Sequence, residues 1–150
     1  MRLILIILLP FIDSLIAAFL PSDARNREAW LAGAIALMTA LLVASLYPHI
    51  AGDTGIVRVV IPWIPALGLE FSLRMDGFAW LFALMVSGIG GLVVIYARYY
   101  LSPADPAPRF FSFFLAFMGS MLGIVLSGNL IQIALFWEMT SLVSFMLIAY

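Results

Sequence analysis

The sequence predicts an all-α membrane protein of about five transmembrane helices, with one extramembrane β-hairpin between helices two and three. Three observations predict it. The chain is 65% hydrophobic and 10% charged, with mean hydropathy +1.18, whereas soluble domains lie nearer ~45–50% apolar and ~25% charged. Apolar runs close to the ~20 residues that a bilayer span needs recur along the chain. One stretch between them alternates with the two-residue period of a strand.

The elements follow in order. Leu3 to Leu20 is the first span, interrupted by Pro10 and Asp13. It continues past the length of a signal-peptide core and lacks a small-residue cleavage site, so it reads as a retained helix. Pro21 to Glu28 is a polar loop, and Ala29 to Tyr47 is the second span. Ile56 to Ile61 is β-branched. Gly68 to Asp76 places Leu69, Phe71, Leu73 and Met75 on one face and Glu70, Ser72, Arg74 and Asp76 on the other. Pro62, Pro65 and Gly68 supply the turn of a hairpin spanning about 56–75. It must lie outside the membrane, since open sheet edges are not tolerated in hydrocarbon. Gly77 to Tyr96 is the third span. Leu101 to Arg109 holds three prolines and reads as loop. Phe110 to Ser127 is the fourth span, and Gly128-Asn129 turns into the fifth, Leu130 to Tyr150. The five spans, at about 3–20, 29–47, 77–96, 110–127 and 130–150, form one domain that reads as truncated at residue 150.

Composition removes several function classes. A net charge of −1 without a basic run gives no nucleic-acid surface. There is no Cys for thiol chemistry. One His (His49) and scattered acids build no metal site. Gly88-Ile89-Gly90-Gly91 lies in an apolar helix, without the strand a phosphate loop needs. No cofactor is expected. All seven basic residues are Arg. Arg25, Arg27, Arg98 and Arg109 flank the loops after spans one and three, and these denser loops favour the cytoplasmic side. Small residues at four-residue spacing (Ala32, Ala36, Ala40 and Ala44; Ser87 and Gly91; Gly119, Gly123 and Ser127) predict close helix packing.

One residue stands apart. Glu138 lies near the middle of span five, near the bilayer centre at ~1.5 Å per residue. An acid there costs ~2.5 kcal/mol or more to insert, and such residues face a bundle interior and mark ion or proton paths. Ser141 and Ser144 fall on one flank of Glu138 and Thr140 further round, candidates for a supporting polar path. An acid in hydrocarbon keeps its proton and an acid facing a cation releases it. An acid whose cationic partner moves therefore loads and unloads. The other polar residues carry structural expectations. Asp13 snorkels or caps a helix broken at Pro10, and Asp76 caps span three. Asn129 and Gln132 cap span five, Arg98 anchors in the headgroups, and His49 sits at the interface.

At Glu138 the chain resembles a known family. Gly128 to Tyr150, GNLIQIALFWEMTSLVSFMLIAY, is similar to the fifth helix of the antiporter-like subunits shared by Mrp-type (Pha, Mnh) multisubunit cation/proton antiporters and respiratory complex I. Leu73 to Leu101 is similar to their third helix and its approach. WEMTSLVSFMLI most resembles the large A-type subunit of the Mrp antiporters, since the complex I relatives tend to be glycine-rich after the acid. The resemblance implies that Glu138 is the functional acid and that it pairs with a lysine on a later helix, outside this chain. It implies a secondary transporter subunit rather than an enzyme, multi-pass in the cell (inner) membrane. That subunit would exchange Na+ or another monovalent cation for protons within a hetero-oligomeric complex. The alternative is the proton-pumping membrane subunit of a redox-driven complex such as NADH:quinone oxidoreductase or membrane-bound hydrogenase.

Overall fold

The computed structural model describes residues 1–53 and 55–150. In chain order its helices are α1 (Arg2–Ala18), α2 (Arg25–Ser45), a four-residue α3 (Tyr47–Ile50), α4 (Gly77–Tyr100), α5 (Ala107–Leu126) and α6 (Leu130–Ile148). Strands β1 (Val57–Ile64) and β2 (Leu69–Met75) pair antiparallel between α3 and α4. Four helical segments are long and apolar enough to cross a membrane: Arg25–Ile50, Gly77–Tyr100, Ala107–Leu126 and Leu130–Ile148. At 17 residues α1 is shorter, about 26 Å at 1.5 Å per residue, the lower edge of spanning length. Pro10 sits inside it without ending it.

α5 is the central helix. It packs on α1, α2, α4 and α6, and its buried residues Phe111, Leu115, Met118, Leu122 and Leu126 form the middle of the apolar core. Helices α2 and α5 start earlier than the polar residues suggest. α2 takes in Arg25 to Glu28, expected as loop. α5 begins at Ala107 with Pro108 in its first turn, where a proline's missing N–H costs nothing because that donor has no intrahelical partner.

The small-residue stripes pack as expected, but in a drifting register. On α2 the buried line is Ala32, Ala36, Thr39, Val43. Ala40 and Ala44 turn away because four residues overshoot one helical turn by about 40°. The GxxxG of α5 serves two neighbours rather than one. A Cβ on Gly119 would stand 3.0 Å from the Phe11 ring of α1, and a Cβ on Gly123 would overlap the Phe136 ring of α6. Each glycine is a notch for an aromatic ring.

The hairpin pairs Val57 with Met75, Val59 with Leu73 and Ile61 with Phe71. Pro62 lies within β1 opposite Glu70, beside an irregularity between Pro62 and Ile64, where a strand tolerates proline. The turn itself is the 3-10 segment Pro65–Leu67 closed by Gly68, whose φ of +66° only glycine adopts freely. Leu73 and Met75 are fully buried against the bundle. The hairpin is clamped to the α5–α6 turn: Gly128 N–H donates to the Ser72 carbonyl at 2.8 Å, and Leu73 bridges Ser127.

Asp76 caps α4 as expected. Its Oδ1 accepts the Ala79 N–H at 2.8 Å, and its Oδ2 meets Arg74 at 3.4 Å. Asp76→Ala is expected to cost about 1 kcal/mol, the usual worth of such a cap, read as a lowered melting temperature of the full-length protein.

Candidate functional site

α6 presents Glu138. The helix starts because Asn129 Oδ1 accepts the Gln132 N–H at 2.8 Å, satisfying an orphan donor of the first turn. Gln132 is not itself a cap. It is buried, and its Oε1 accepts the Ser72 N–H of β2 at 3.0 Å, while Asn129 Nδ2 donates to the Glu70 carbonyl at 2.8 Å. The two amides fasten α6 to the hairpin and fix its rotation. Gln132→Leu would leave a buried N–H without a partner, at a cost of about 1–3 kcal/mol. Faster hydrogen exchange at Ser72 is the expected readout.

Two helical turns on, Glu138 stands exposed on the face of α6 turned away from α5. It shares that face with Leu135, Ser141, Leu142 and Phe145, also exposed. α6 touches the bundle through α5, with Val143 buried at the contact and Phe136 seated on Gly123. The expected hydroxyls bond to their own helix. Thr140 donates to the Trp137 carbonyl at 2.6 Å, and Ser141 to the same carbonyl at 3.3 Å. Their oxygens keep lone pairs free to accept. Ser144 is half-buried on the flank. Within this chain, then, the Glu138 side chain faces outward rather than into the bundle. It is an acid on an apolar membrane face.

Two acids expected to meet water are buried instead. Asp13 is 1% exposed and Glu28 0% exposed, and none of their four carboxyl oxygens has a hydrogen-bond partner among the described residues. Asp13 neither snorkels nor caps. Pro10, Asp13 and Ala17 form one buried line on α1. Glu28 is the first member of the α2 stripe that continues through Ala32 and Ala36. That four-residue spacing is the signal that could have found it, but the run Arg25-Asn26-Arg27 beside it makes the segment look like solvent-exposed loop. Next to Asp13, Ser14 and Ser112 exchange hydrogen bonds, each hydroxyl donating to the other's carbonyl at 2.7 and 2.8 Å.

Arg25 and Arg98 meet at one end of the bundle. Arg25 donates to the Arg98 carbonyl at 2.6 Å and also to that of Leu101, and the Arg98 guanidinium lies 4.8 Å from the Trp30 ring centre. These contacts join the ends of α2 and α4 at one face of the bundle. His49 is exposed.

Known proteins are similar to this chain. The family described as the N-terminus of chain 5 of NADH-ubiquinone oxidoreductase (complex I) matches residues 63–111. The chain is 61% identical over 144 residues to a probable K+/H+ antiporter A/B subunit of Rhizobium meliloti (strain 1021), covering 96% of this chain and 14% of that protein. It is 41% identical over 143 residues to the A-type subunit of an Na+/H+ antiporter of Alkalihalophilus pseudofirmus, covering 94% of this chain and 18% of that protein. Its fold superposes on a chain of the Mrp complex from Dietzia sp. DQ12-45-1b with TM-score 0.80 at 30% identity, over 99% of this chain and 16% of that one. The chain thus spans less than a fifth of the length of these relatives. By sequence and fold alike, it belongs with the multi-pass antiporter-like membrane subunits and corresponds to the N-terminal part of the large A-type subunit of Mrp antiporters, related to chain 5 of complex I.

Proposed function

We propose that this chain is the proton-loading N-terminal part of a monovalent cation/proton antiporter subunit, with Glu138 as the intramembrane carrier. One observation carries the reading: an ionisable side chain stands midway along α6 on a face of Leu135, Leu142 and Phe145. Such a side chain is expensive in hydrocarbon unless it meets a partner or a water-filled path. In the proposal that face is covered by further helices of the same subunit, which bring a lysine to Glu138. When the lysine approaches, the carboxylate is stabilised and its proton leaves. When the lysine withdraws, the acid reloads. Thr140, Ser141 and Ser144 accept hydrogen bonds from the waters that carry the proton.

The cation is proposed only as monovalent, because the two relatives differ in the ion their names carry, K+ in one and Na+ in the other. The subunit is proposed to work inside a hetero-oligomeric complex, as the Dietzia chain does in the Mrp complex.

A charge exchange tests the pairing. Glu138→Lys in the full-length subunit should abolish cation-driven proton flux. Combining it with Lys→Glu at one membrane lysine should restore part of it. If no membrane lysine restores flux when exchanged, the Glu–Lys pairing is wrong.

A further inference from the structure

The pair Asp13 and Glu28 goes beyond the Glu138 reading and stands on different residues. α1 and α2 run antiparallel and pack together. Asp13 lies five residues before the end of α1 and Glu28 three after the start of α2, so the two sit within about 3 Å of the same depth at 1.5 Å per residue. Both side chains are closed off by the chain's own helices, at 1% and 0% exposure. A lysine from elsewhere in the subunit could not reach them without parting α1 from α2 and α5.

No cation among the described residues serves them. Among the described residues the one ion pair is Arg74 with Asp76, at the hairpin end. On α2, Arg25 is committed to the carbonyls of Arg98 and Leu101, and Arg27 is exposed. On α4, Arg98 lies over the Trp30 and Tyr99 rings. On α5, Arg109 is exposed over Phe113. On α1 the other basic groups, Arg2 and the amino terminus, are at the opposite end. The loops at this end add two acids, exposed Asp23 and half-buried Asp105, the latter accepting the Ser102 N–H. The neighbouring hydroxyls of Ser14 and Ser112 spend their protons on each other's carbonyls. Two carboxylates buried at one depth without a cation or a hydrogen-bond donor cannot both stay ionised in such a place.

We infer that Asp13 and Glu28 form a second acid site, a carboxyl pair that holds at least one proton between α1 and α2 at the Arg-lined end of the bundle. A proton is the partner that fits. It neutralises a buried carboxylate that has no cation or donor beside it, and it needs no opening wide enough for a hydrated ion. The pair lies at the membrane face opposite the hairpin, about two turns or less from the ends of α1 and α2, so a small parting of those ends would expose it to water.

Infrared difference spectroscopy tests this on the full-length subunit within its complete complex, reconstituted in lipid. A carbonyl stretch of protonated carboxylic acid is expected at neutral pH. It should be lost in the Asp13→Asn, Glu28→Gln double variant and retained in Glu138→Gln, which separates this site from the proposed carrier. If the double variant does not assemble, the single variants carry the test, since each should shift the frequency of the remaining acid. A spectrum unchanged by these substitutions would overturn the inference. So would a wild-type band abolished at constant pH by Na+ or K+ and restored by their removal, which would make the pair a cation site.

Discussion

Gly123→Leu is expected to detach α6 and silence transport without touching Glu138. A Cβ at position 123 already overlaps the Phe136 ring, and leucine adds three more carbons in the same notch. Overpacking typically costs about 1–3 kcal/mol, and this site belongs at the upper end. The ring cannot retreat into α5, and among the described residues α6 leans chiefly on α5, with the Asn129 and Gln132 bonds tying its start to the hairpin. Hydrogen exchange should rise along Leu130–Ile148 while α1, α2 and α4 keep their protection. Gly88→Ala is the control. Nothing lies within 4 Å of a Cβ there, and alanine is the better helix former by about 1 kcal/mol, so exchange and stability should hold or improve. Equal damage from both substitutions would contradict the notch reading.

The second large effect is at Glu138 itself. Gln keeps the size and hydrogen-bonding capacity of the side chain but cannot take up or release a proton at accessible pH. Glu138→Gln is therefore expected to lower cation-driven proton flux about a hundredfold or more, the scale on which removing a positioned proton-transfer group acts. Glu138→Asp keeps the acid and shortens its reach by one methylene, so part of the flux should remain. Because Gln and Asp stay close to Glu in size and polarity, both variants should assemble normally. A role confined to assembly would give the opposite pattern, with yield reduced and specific flux intact.

Much of this fold could be read from the residues because lipid removes the usual ambiguities. In hydrocarbon the backbone must be helical, so five apolar runs became five helices with little choice. Period-two alternation from Leu69 to Met75 marked the strand whose Leu73 and Met75 are buried. Asp76 and Asn129 read as caps, and both bond as caps do. Where the structure departs from expectation, the physical origin is shared: polarity is a poor measure of exposure. Arg25 to Glu28 and Ala107 to Arg109 are polar or proline-bearing first turns of helices rather than loops. Asp13 and Glu28 are polar but fully buried, because tertiary packing of α1 on α2 and α5 closes over them. Packing between helices distant in sequence leaves little trace in local hydropathy. Nor could local pattern reveal that Gln132 holds the hairpin sixty residues away. Glu138 was the reverse case: its depth in span five was legible, while its outward direction followed only from how α6 meets α5.

The most direct test of Glu138 as proton carrier is cation-driven proton movement in proteoliposomes carrying the full-length subunit in its complete complex, normalised to assembled complex. Wild type, Glu138→Asp and Glu138→Gln should be compared at one pH with Na+ and with K+. The predicted result is flux in the wild type with at least one of the two ions, partial flux for Asp, and background for Gln. Wild-type flux from the Gln variant would contradict it.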